Sequence, residues 1–172
     1  MVTVTLDTNL FYDAAHDRGG CSDFWKIVDL ARGSEIAVFY TATTGFEVQD
    51  DSAMRLVTRL RMEGTLREDP NAGTQRDYMP GGPGPHPLND DEIDAYVEKV
   101  WPNATLLGLS YESKRQDVCH LVAHQRNDRD IFLTRDGELL SKRHLIKKLL
   151  GITIVSPPEF LASPRKGSAK II

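Results

Sequence analysis

Residues 2–7, Val-Thr-Val-Thr-Leu-Asp, decide the fold, because they form a hydrophobic strand that ends on an aspartate. Residues 131–136, Ile-Phe-Leu-Thr-Arg-Asp, repeat this arrangement about 130 residues later. If both strands belong to one parallel sheet, their carboxyl ends open into the same crevice, where open α/β sheets keep their ligands. We therefore expect Asp7 and Asp136 to meet there, and clustered carboxylates without obvious counter-charges favour a metal ion.

Strands and helices alternate along most of the chain. Apolar runs predict strands, and helical spacing of apolar residues predicts helices. The strands are expected at residues 2–6, 35–40, 105–109, 131–134 and 152–155. The helices are expected at residues 10–15, 22–31, 51–62, 89–101, 113–125 and 137–150, with a further helix carrying Phe46, Glu47 and Val48 and a final turn at 158–162. This alternation predicts an α/β fold, a central parallel sheet flanked by helices in three layers.

Residues 66–88 interrupt the alternation with five prolines and four glycines. This composition predicts a long surface loop, and loops of such length are usually functional or disordered. A chain of 172 residues fits one domain with one core. We expect a single domain over residues 1–162 that carries this Pro/Gly-rich insertion, followed by a basic flexible tail at residues 163–172.

The composition is that of a soluble globular protein, with 40% hydrophobic and 27% charged residues. No apolar run approaches the roughly 18 residues needed to cross a bilayer. The first residues lack the basic and apolar regions of a secretory signal, so a cytoplasmic location is expected. The two cysteines, Cys21 and Cys119, have no metal-binding spacing and are expected to be reduced core residues.

Charge is unevenly distributed. The formal net charge of -4 argues against nucleic-acid binding through overall electrostatics. From Arg135 onward, however, the chain has eight basic and three acidic residues, which gives this part a net charge of +5. A polyanion could bind there, although charge runs of this kind more often form a solvated helix face and tail.

Two further acids resemble site residues rather than surface ones. Asp117 lies on the helix before the second Asp-ended strand, beside the apolar residues Val118, Leu121 and Val122. Glu47 is flanked by Phe46 and Val48. An isolated acid after a strand is usually a helix N-cap, but four acids near strand ends and helix starts suit Mg²⁺ or Mn²⁺, which prefer oxygen ligands.

At this point the chain resembles the PIN-domain family of metal-dependent nucleases over most of its length apart from roughly residues 66–106. The matching residues are Leu6-Asp7-Thr8-Asn9, the Asp117 helix, the run from Asp130 to Leu140, and the closing run from Gly151 to Leu161 with its Pro-Glu-Phe turn. The resemblance implies a PIN-like three-layer sandwich. It also implies an acidic set of Asp7, Glu47, Asp117 and Asp136, with Asn9 and Thr134 as supporting polar groups.

The activity implied by the resemblance is metal-dependent hydrolysis of RNA phosphodiester bonds, with Mg²⁺ or Mn²⁺ as cofactor. Asp7, Asp117 and Asp136 would bind the metal, and Glu47 would position a second ion or the attacking water. Basic groups would meet substrate phosphates, namely Arg135, Lys142 and Arg143. The implied partners are RNA, an antitoxin or other regulatory protein if the enzyme is the toxin of a toxin–antitoxin pair, and a second copy in a homodimer; no membrane is implied.

The chain departs from the family pattern in two places. The first is the insertion at residues 66–88, which small family members replace with a short helical connection. The second is the neighbourhood of Glu47, where Asp50 and Asp51 lie within about one helical turn and are alternatives for the same role.

Other functions stay open. A non-catalytic nucleic-acid or protein-binding module on the same fold would be favoured if the four acids did not converge. An aspartate-nucleophile phosphohydrolase is disfavoured, because that chemistry usually needs a second acid where this chain has Asn9. His120 and His124 stand four residues apart on one helix, a spacing that can bind metal, but such pairs are more often solvated or locally hydrogen-bonded.

Overall fold

The computed structural model describes residues 1–41, 44, 50–69, 90–102, 104 and 110–163. In this part of the chain the strands are β1 (Val2–Leu6), β2 (Ile36–Thr41), β3 (Leu66–Asp69), β4 (Ile131–Leu133) and β5 (Ile154–Val155). The helices are α1 (Thr8–Ala15), α2 (Cys21–Arg32), α3 (Asp51–Met62), α4 (Asp90–Val100), α5 (Ser110–Arg126), α6 (Gly137–Leu150) and α7 (Pro157–Ala162).

The five strands form one parallel sheet in the order β3-β2-β1-β4-β5. Helices cover both sides, so the α/β fold expected from the sequence is confirmed and is consistent with a PIN-like three-layer sandwich. The strand order reverses between β1 and β4. In such sheets the crevice outside the carboxyl ends of the strands at the reversal is where ligands bind.

One side of the sheet, the first face, is entirely apolar at its centre. Alternate strand residues point to the same side, and here they include Val4, Leu6, Val38, Tyr40 and Leu133. These residues form one core with apolar residues of α1, α2, α3 and α7, among them Phe11, Phe24, Leu60 and Phe160. Burial of this continuous apolar layer supplies a large share of the stability of the fold.

The opposite side, the second face, combines apolar and polar residues. Phe132 and Ile154 pack with apolar residues of α4, α5 and α6, including Ile93, Val118, Leu139 and Ile146. Over β1, β2 and β3 the same face carries Thr5, Phe39, Thr41 and Asp69. The three polar residues have no exposed surface, so each needs a hydrogen-bonding or charged partner inside the protein.

Strand β3 corrects the expectation of a surface loop beginning at residue 66. Only Leu66 in Leu-Arg-Glu-Asp is apolar, so the sequence gives no strand pattern. The strand forms because it pairs with β2, and two tertiary contacts hold it there. Tyr40 donates a hydrogen bond to Glu68, and the Arg129 guanidinium pairs with the fully buried Asp69. A charged strand is also typical of a sheet edge.

Other boundaries shift by a few residues. Helix α5 begins three residues before the expected start, and β5 comprises only the second half of the expected strand 152–155. The expected strand at 105–109, the helix carrying Glu47, most of the insertion and the tail beyond residue 163 lie outside the described residues. None of the described helices combines the length and apolar character needed to cross a membrane.

The cysteine expectation was half right. Both thiols are free, and Cys119 is buried among the apolar residues that pack on the second face. Cys21 instead begins α2 at a half-buried position and donates a hydrogen bond to Asp17 over 2.9 Å.

Candidate active site

Asp7 follows β1 and lies at the strand-order reversal. It is the N-cap of α1, and its Oδ1 accepts a hydrogen bond from the Thr8 amide over 2.7 Å. Its Oδ2 accepts from the Thr134 hydroxyl over 2.5 Å and from the Asn9 amide over 2.9 Å. The carboxylate is 8% exposed, so its orientation is fixed by three neighbours at the mouth of the crevice.

Thr134 joins the ends of β1 and β4. Its hydroxyl donates to Asp7 and accepts hydrogen bonds from the Asn9 amide over 3.2 Å and the Asp136 backbone amide over 2.8 Å. This uses the one donor and both acceptor positions that a hydroxyl has. Asn9 and Thr134, expected from the resemblance to support the acids, thus bind directly to Asp7.

Asp136 has a position equivalent to that of Asp7. It is the N-cap of α6, and its Oδ1 accepts hydrogen bonds from Glu138 over 2.7 Å and Leu139 over 3.0 Å. Helix capping therefore accounts for part of what both aspartates do. A cap uses only one carboxylate oxygen in each case, and in Asp136 both cap bonds go to the same oxygen.

Asp117 faces the two strand-end aspartates from α5. Burial raises the pKa of Asp117 to about 7, and the negative charges of Asp7 and Asp136 act in the same direction, while Lys114 opposes them. Asp117 is therefore close enough to both aspartates for their negative charges to repel its own. Repulsion between neighbouring carboxylates is relieved either by a proton or by a cation.

Lys114 is the cation that the structure places among these acids. It is 8% exposed, and its ammonium lies 2.7 Å from Glu138 and 3.4 Å from Asp117. The Trp101 ring lies on another side of it, with its centre 5.2 Å from Nζ. Lys114 therefore links Glu138 to Asp117. We call Asp7, Asp117, Asp136 and Glu138 together the acidic group.

The fit of this group to a divalent metal can be judged from its atoms. Carboxylate oxygens are the hard donors that Mg²⁺ or Mn²⁺ prefer, and burial together with nearby negative charge raises the pKa of Asp117. Within the described ranges, however, no set of three or more acidic, histidine or cysteine side chains is arranged to hold a metal ion. Glu47, the fourth acid implied by the resemblance, lies outside those ranges.

The alternatives to Glu47 have other roles. The Asp50 carboxylate caps α3 by accepting hydrogen bonds from Ser52 and Ala53, and it lies 3.2 Å from His16. The hydrogen bond from Ala53 is the main reason that the pKa of Asp50 is lowered. Asp51 is exposed in the first turn of α3, where an acid favours the helix N-terminus.

Beneath the acidic group, two histidines anchor α5 to the second face. His120 is hydrogen-bonded through Nδ1 to Thr41 and through Nε2 to Thr8, which follows Asp7. The His124 Nδ1 lies 2.9 Å from the Thr5 hydroxyl. Both rings are at most 2% exposed, so of the two alternatives expected for the pair, solvated or hydrogen-bonded, the structure shows hydrogen bonding inside the protein. The apolar residues at helical spacing around them, Val118, Leu121 and Val122, were the available signal of burial.

The basic residues expected to contact RNA are engaged with protein carboxylates in two of three cases. Arg135 pairs with Asp13, and its guanidinium lies over Gly20, where an added Cβ would be 2.9 Å from Cζ. Arg143 pairs with Glu159 over 2.8 Å. Lys142 is half-buried on α6. Arg135 and Arg143 are more than a third exposed, so both remain open to solvent.

Asp130 lies at the opposite edge of the sheet from the acidic group. Its Oδ2 accepts hydrogen bonds from the Thr3 amide and hydroxyl, both over 2.8 Å. These contacts join the beginnings of β1 and β4, and the bond from the Thr3 amide is the main reason that the pKa of Asp130 is lowered.

Two residues of the site region gave no signal of their role in the sequence. Lys114 stands three residues before Asp117, which is the ordinary spacing of a solvated helix pair. Arg129, whose guanidinium lies 3.5 Å from the centre of the Phe39 ring, finds its partner Asp69 60 residues away in sequence. Burial determines both roles, and the sequence does not encode it locally.

Comparison with models of protein families finds no match to this chain, and comparison with curated proteins finds no significant match. The resemblance to PIN-domain nucleases therefore rests on the residues quoted from the sequence.

Proposed function

We propose that this protein is a metal-dependent endoribonuclease of the PIN type that hydrolyses RNA phosphodiester bonds. The observation that carries the proposal is the placement of Asp7 and Asp136 at the carboxyl ends of β1 and β4, with Asp117 near enough that their negative charges add to burial in raising its pKa. Helix capping explains one oxygen of Asp7 and one of Asp136, but it does not explain the buried Asp117 beside them.

The residues of the site would have different roles in this reaction. Asp7 and Asp136 would be the central metal ligands, and Asp117 would complete the set. Thr134 and Asn9 would hold Asp7 in one orientation through the hydrogen bonds described. A bound Mg²⁺ or Mn²⁺ would supply activation of water and stabilisation of charge on the phosphate.

The raised pKa of Asp117 has a direct consequence for this reaction. A carboxyl group with a pKa of about 7 is half protonated at neutral pH, and the proton must leave before the group can bind a metal. Metal-dependent activity is therefore expected to be half-maximal near pH 7, where this carboxyl is half deprotonated, and to level off about one pH unit higher.

The proposal is tested with a labelled single-stranded RNA and the purified full chain. Cleavage should require Mn²⁺ or Mg²⁺, stop with EDTA, and fall by about 100-fold or more in Asp7→Asn. Asparagine is as good an N-cap as aspartate, so the loss cannot be assigned to failure of α1.

The matched control is Asp130→Asn, which also removes a carboxylate from the end of a β1–β4 contact, but at the opposite edge. A folded Asp130→Asn protein should cleave RNA at close to the wild-type rate. Equal cleavage by wild type and Asp7→Asn, or cleavage that survives EDTA, would contradict the proposal.

A second candidate is a non-catalytic module that binds nucleic acid or protein on the same fold. The observation that favours it is the lack, within the described ranges, of three side chains arranged around a metal position. It predicts RNA retention in a filter-binding assay without metal-dependent cleavage, and with no effect of Asp7→Asn on retention.

A toxin–antitoxin role, a regulatory protein partner and a homodimer are finer proposals that follow only if the nuclease is established. Expression of the wild-type chain should then slow the growth of a bacterial host, and Asp7→Asn should relieve the effect.

A further inference from the structure

The position of Lys114 is unusual for a lysine. The residue is 8% exposed, and its ammonium contacts two carboxylates of the acidic group, Asp117 and Glu138. Buried lysines are rare and need charged partners. Its location on α5 beside the crevice means that a permanent positive charge is built into the acidic group.

This charge lies against two of the carboxylates of the acidic group. Metal ions that act in pairs on a phosphodiester lie about 4 Å apart, so a second ion would need ligands close to those of the first. The Lys114 ammonium already occupies Oδ2 of Asp117, the acid between the strand ends and Glu138. A divalent ion at the same carboxylate oxygen would have to displace a buried cation from its partners.

We propose that Lys114 takes the place of a second metal ion: one divalent ion binds on the side of Asp7 and Asp136, and Glu138 pairs with Lys114 and binds no ion. This inference rests on the proposed function, because it concerns the same acids. Lys114 acts as a positioning residue. It neutralises Glu138, keeps Asp117 oriented and leaves only one metal position.

The arrangement around the ammonium supports a fixed cation rather than a mobile surface lysine. The Trp101 ring, itself 4% exposed, lies 5.2 Å from Nζ, and this contact adds a cation–π attraction. The hydrogen bond to Glu138 is 2.7 Å long, as expected for a charge-assisted bond.

The experiment counts bound Mn²⁺ by calorimetric titration, with the electron-spin signal of free Mn²⁺ as an independent count, on the full chain without RNA. The wild type should bind one ion. Lys114→Met, which keeps the length of the side chain but removes the charge, should bind two. Lys114→Arg keeps the charge and should again bind one.

The matched control is Lys26→Met. Lys26 also pairs with an aspartate three residues away, Asp23, over 2.9 Å, but its side chain is 62% exposed on α2. Its removal should leave one bound ion and an affinity within about twofold of wild type. The inference is overturned if wild type binds two ions, or if Lys114→Met binds one ion with unchanged affinity.

A further variant keeps the test decisive if Lys114→Met does not fold. Glu138→Gln removes an acid that is 44% exposed in the first turn of α6. The inference expects one ion and an affinity changed by less than about threefold, since Glu138 faces Lys114 rather than the ion. A fall of about 10-fold or more would make Glu138 a metal ligand and overturn the inference.

The results separate this inference from the proposed function. One bound Mn²⁺ without RNA cleavage would contradict the nuclease and support Lys114 as the second cation. Two bound ions with RNA cleavage would support the nuclease and contradict Lys114 as the second cation. If neither wild type nor Lys114→Met binds Mn²⁺, both are wrong.

Discussion

The two faces of the sheet are built from different chemistry. The first face buries only apolar side chains at its centre, such as Val4, Val38 and Leu133. The second face buries Thr5, Thr41 and Asp69 on the same strands, and α5 and its following loop cover them with histidines and an arginine.

The difference shows how one sheet provides both stability and a site. Apolar contacts do not depend on the exact direction of each group, whereas buried polar groups are costly unless every partner is in place. The hydrogen bonds of the second face therefore fix the position of α5, which carries Lys114, Asp117, His120 and His124. Four experiments can break or sharpen this comparison.

The largest effect is expected from Phe11→Ala on the first face. The Phe11 ring is fully buried and makes edge-to-face contacts with Phe24 and Tyr40 at 5.7 and 6.4 Å between ring centres. Its truncation should lower the free energy of unfolding by about 4 kcal/mol in urea denaturation. Leu149→Ala, at a 37% exposed position, should cost less than about 1 kcal/mol. Similar losses in both variants would contradict the assignment of this core.

Removal of a charge from the second face should come next. Arg129→Met leaves Asp69 buried without its counter-charge and should lower the free energy of unfolding by about 3 kcal/mol. The double variant Arg129→Met/Asp69→Asn no longer buries a lone charge and should recover more than half of the loss. If the double variant is as unstable as the single one, packing of Arg129 on Phe39 and not charge pairing is the cause.

His124, which packs against the second face, should make the free energy of unfolding depend on pH. Burial lowers the pKa of His124 from 6.5 to about 4, so between these values the unfolded chain binds a proton that the folded chain does not. The contribution of His124 to the free energy of unfolding is therefore fully present above pH 6.5 and decreases as the pH falls towards 4. The total loss is at most about 3 kcal/mol.

The measurement is the free energy of unfolding of wild type and His124→Asn across this pH range. The difference between them isolates His124 from the opposite contribution of Asp117, whose pKa is raised by burial. A difference that does not change between pH 6.5 and 4 would mean that His124 is exposed to solvent.

The smallest effect, and the most direct contrast, comes from two adjacent residues of β1. Val4→Thr places a hydroxyl among the apolar side chains of the first face, and Thr5→Val removes the hydroxyl that lies 2.9 Å from His124. Each change has nearly constant volume and should cost about 1 kcal/mol in urea denaturation. A stabilising Thr5→Val would show that the polar pairs of the second face contribute no stability.

The sequence predicted the sheet wherever a strand carries its own apolar run, as in Val2–Leu6 and Ile131–Leu133. It did not predict Leu66–Asp69, because that strand depends on Tyr40 and Arg129, which are distant in the chain. Local pattern predicts elements that bury their own side chains, and it misses those stabilised by partners from elsewhere.

The candidate site shows the same division. Asp7, Asp117 and Asp136 could be named because each follows a strand or stands on an apolar helix stripe. Lys114 could not be placed at the site, because its contact with Glu138 joins α5 to α6 across 24 residues. His120 and His124 were visible as a pair, but their threonine partners on β1 and β2 were not.

The bond between Asp7 and Thr134 joins residues 127 positions apart, and it has a consequence for synthesis of the protein. Strand β1 precedes the other described strands in the chain, yet it lies at the middle of the sheet, and its second edge stays unpaired until β4 is present. A growing chain on the ribosome therefore has no assembled acidic group until residue 136 has emerged. A chain truncated before β4 lacks Thr134 and Asp136 and therefore cannot form this acidic group.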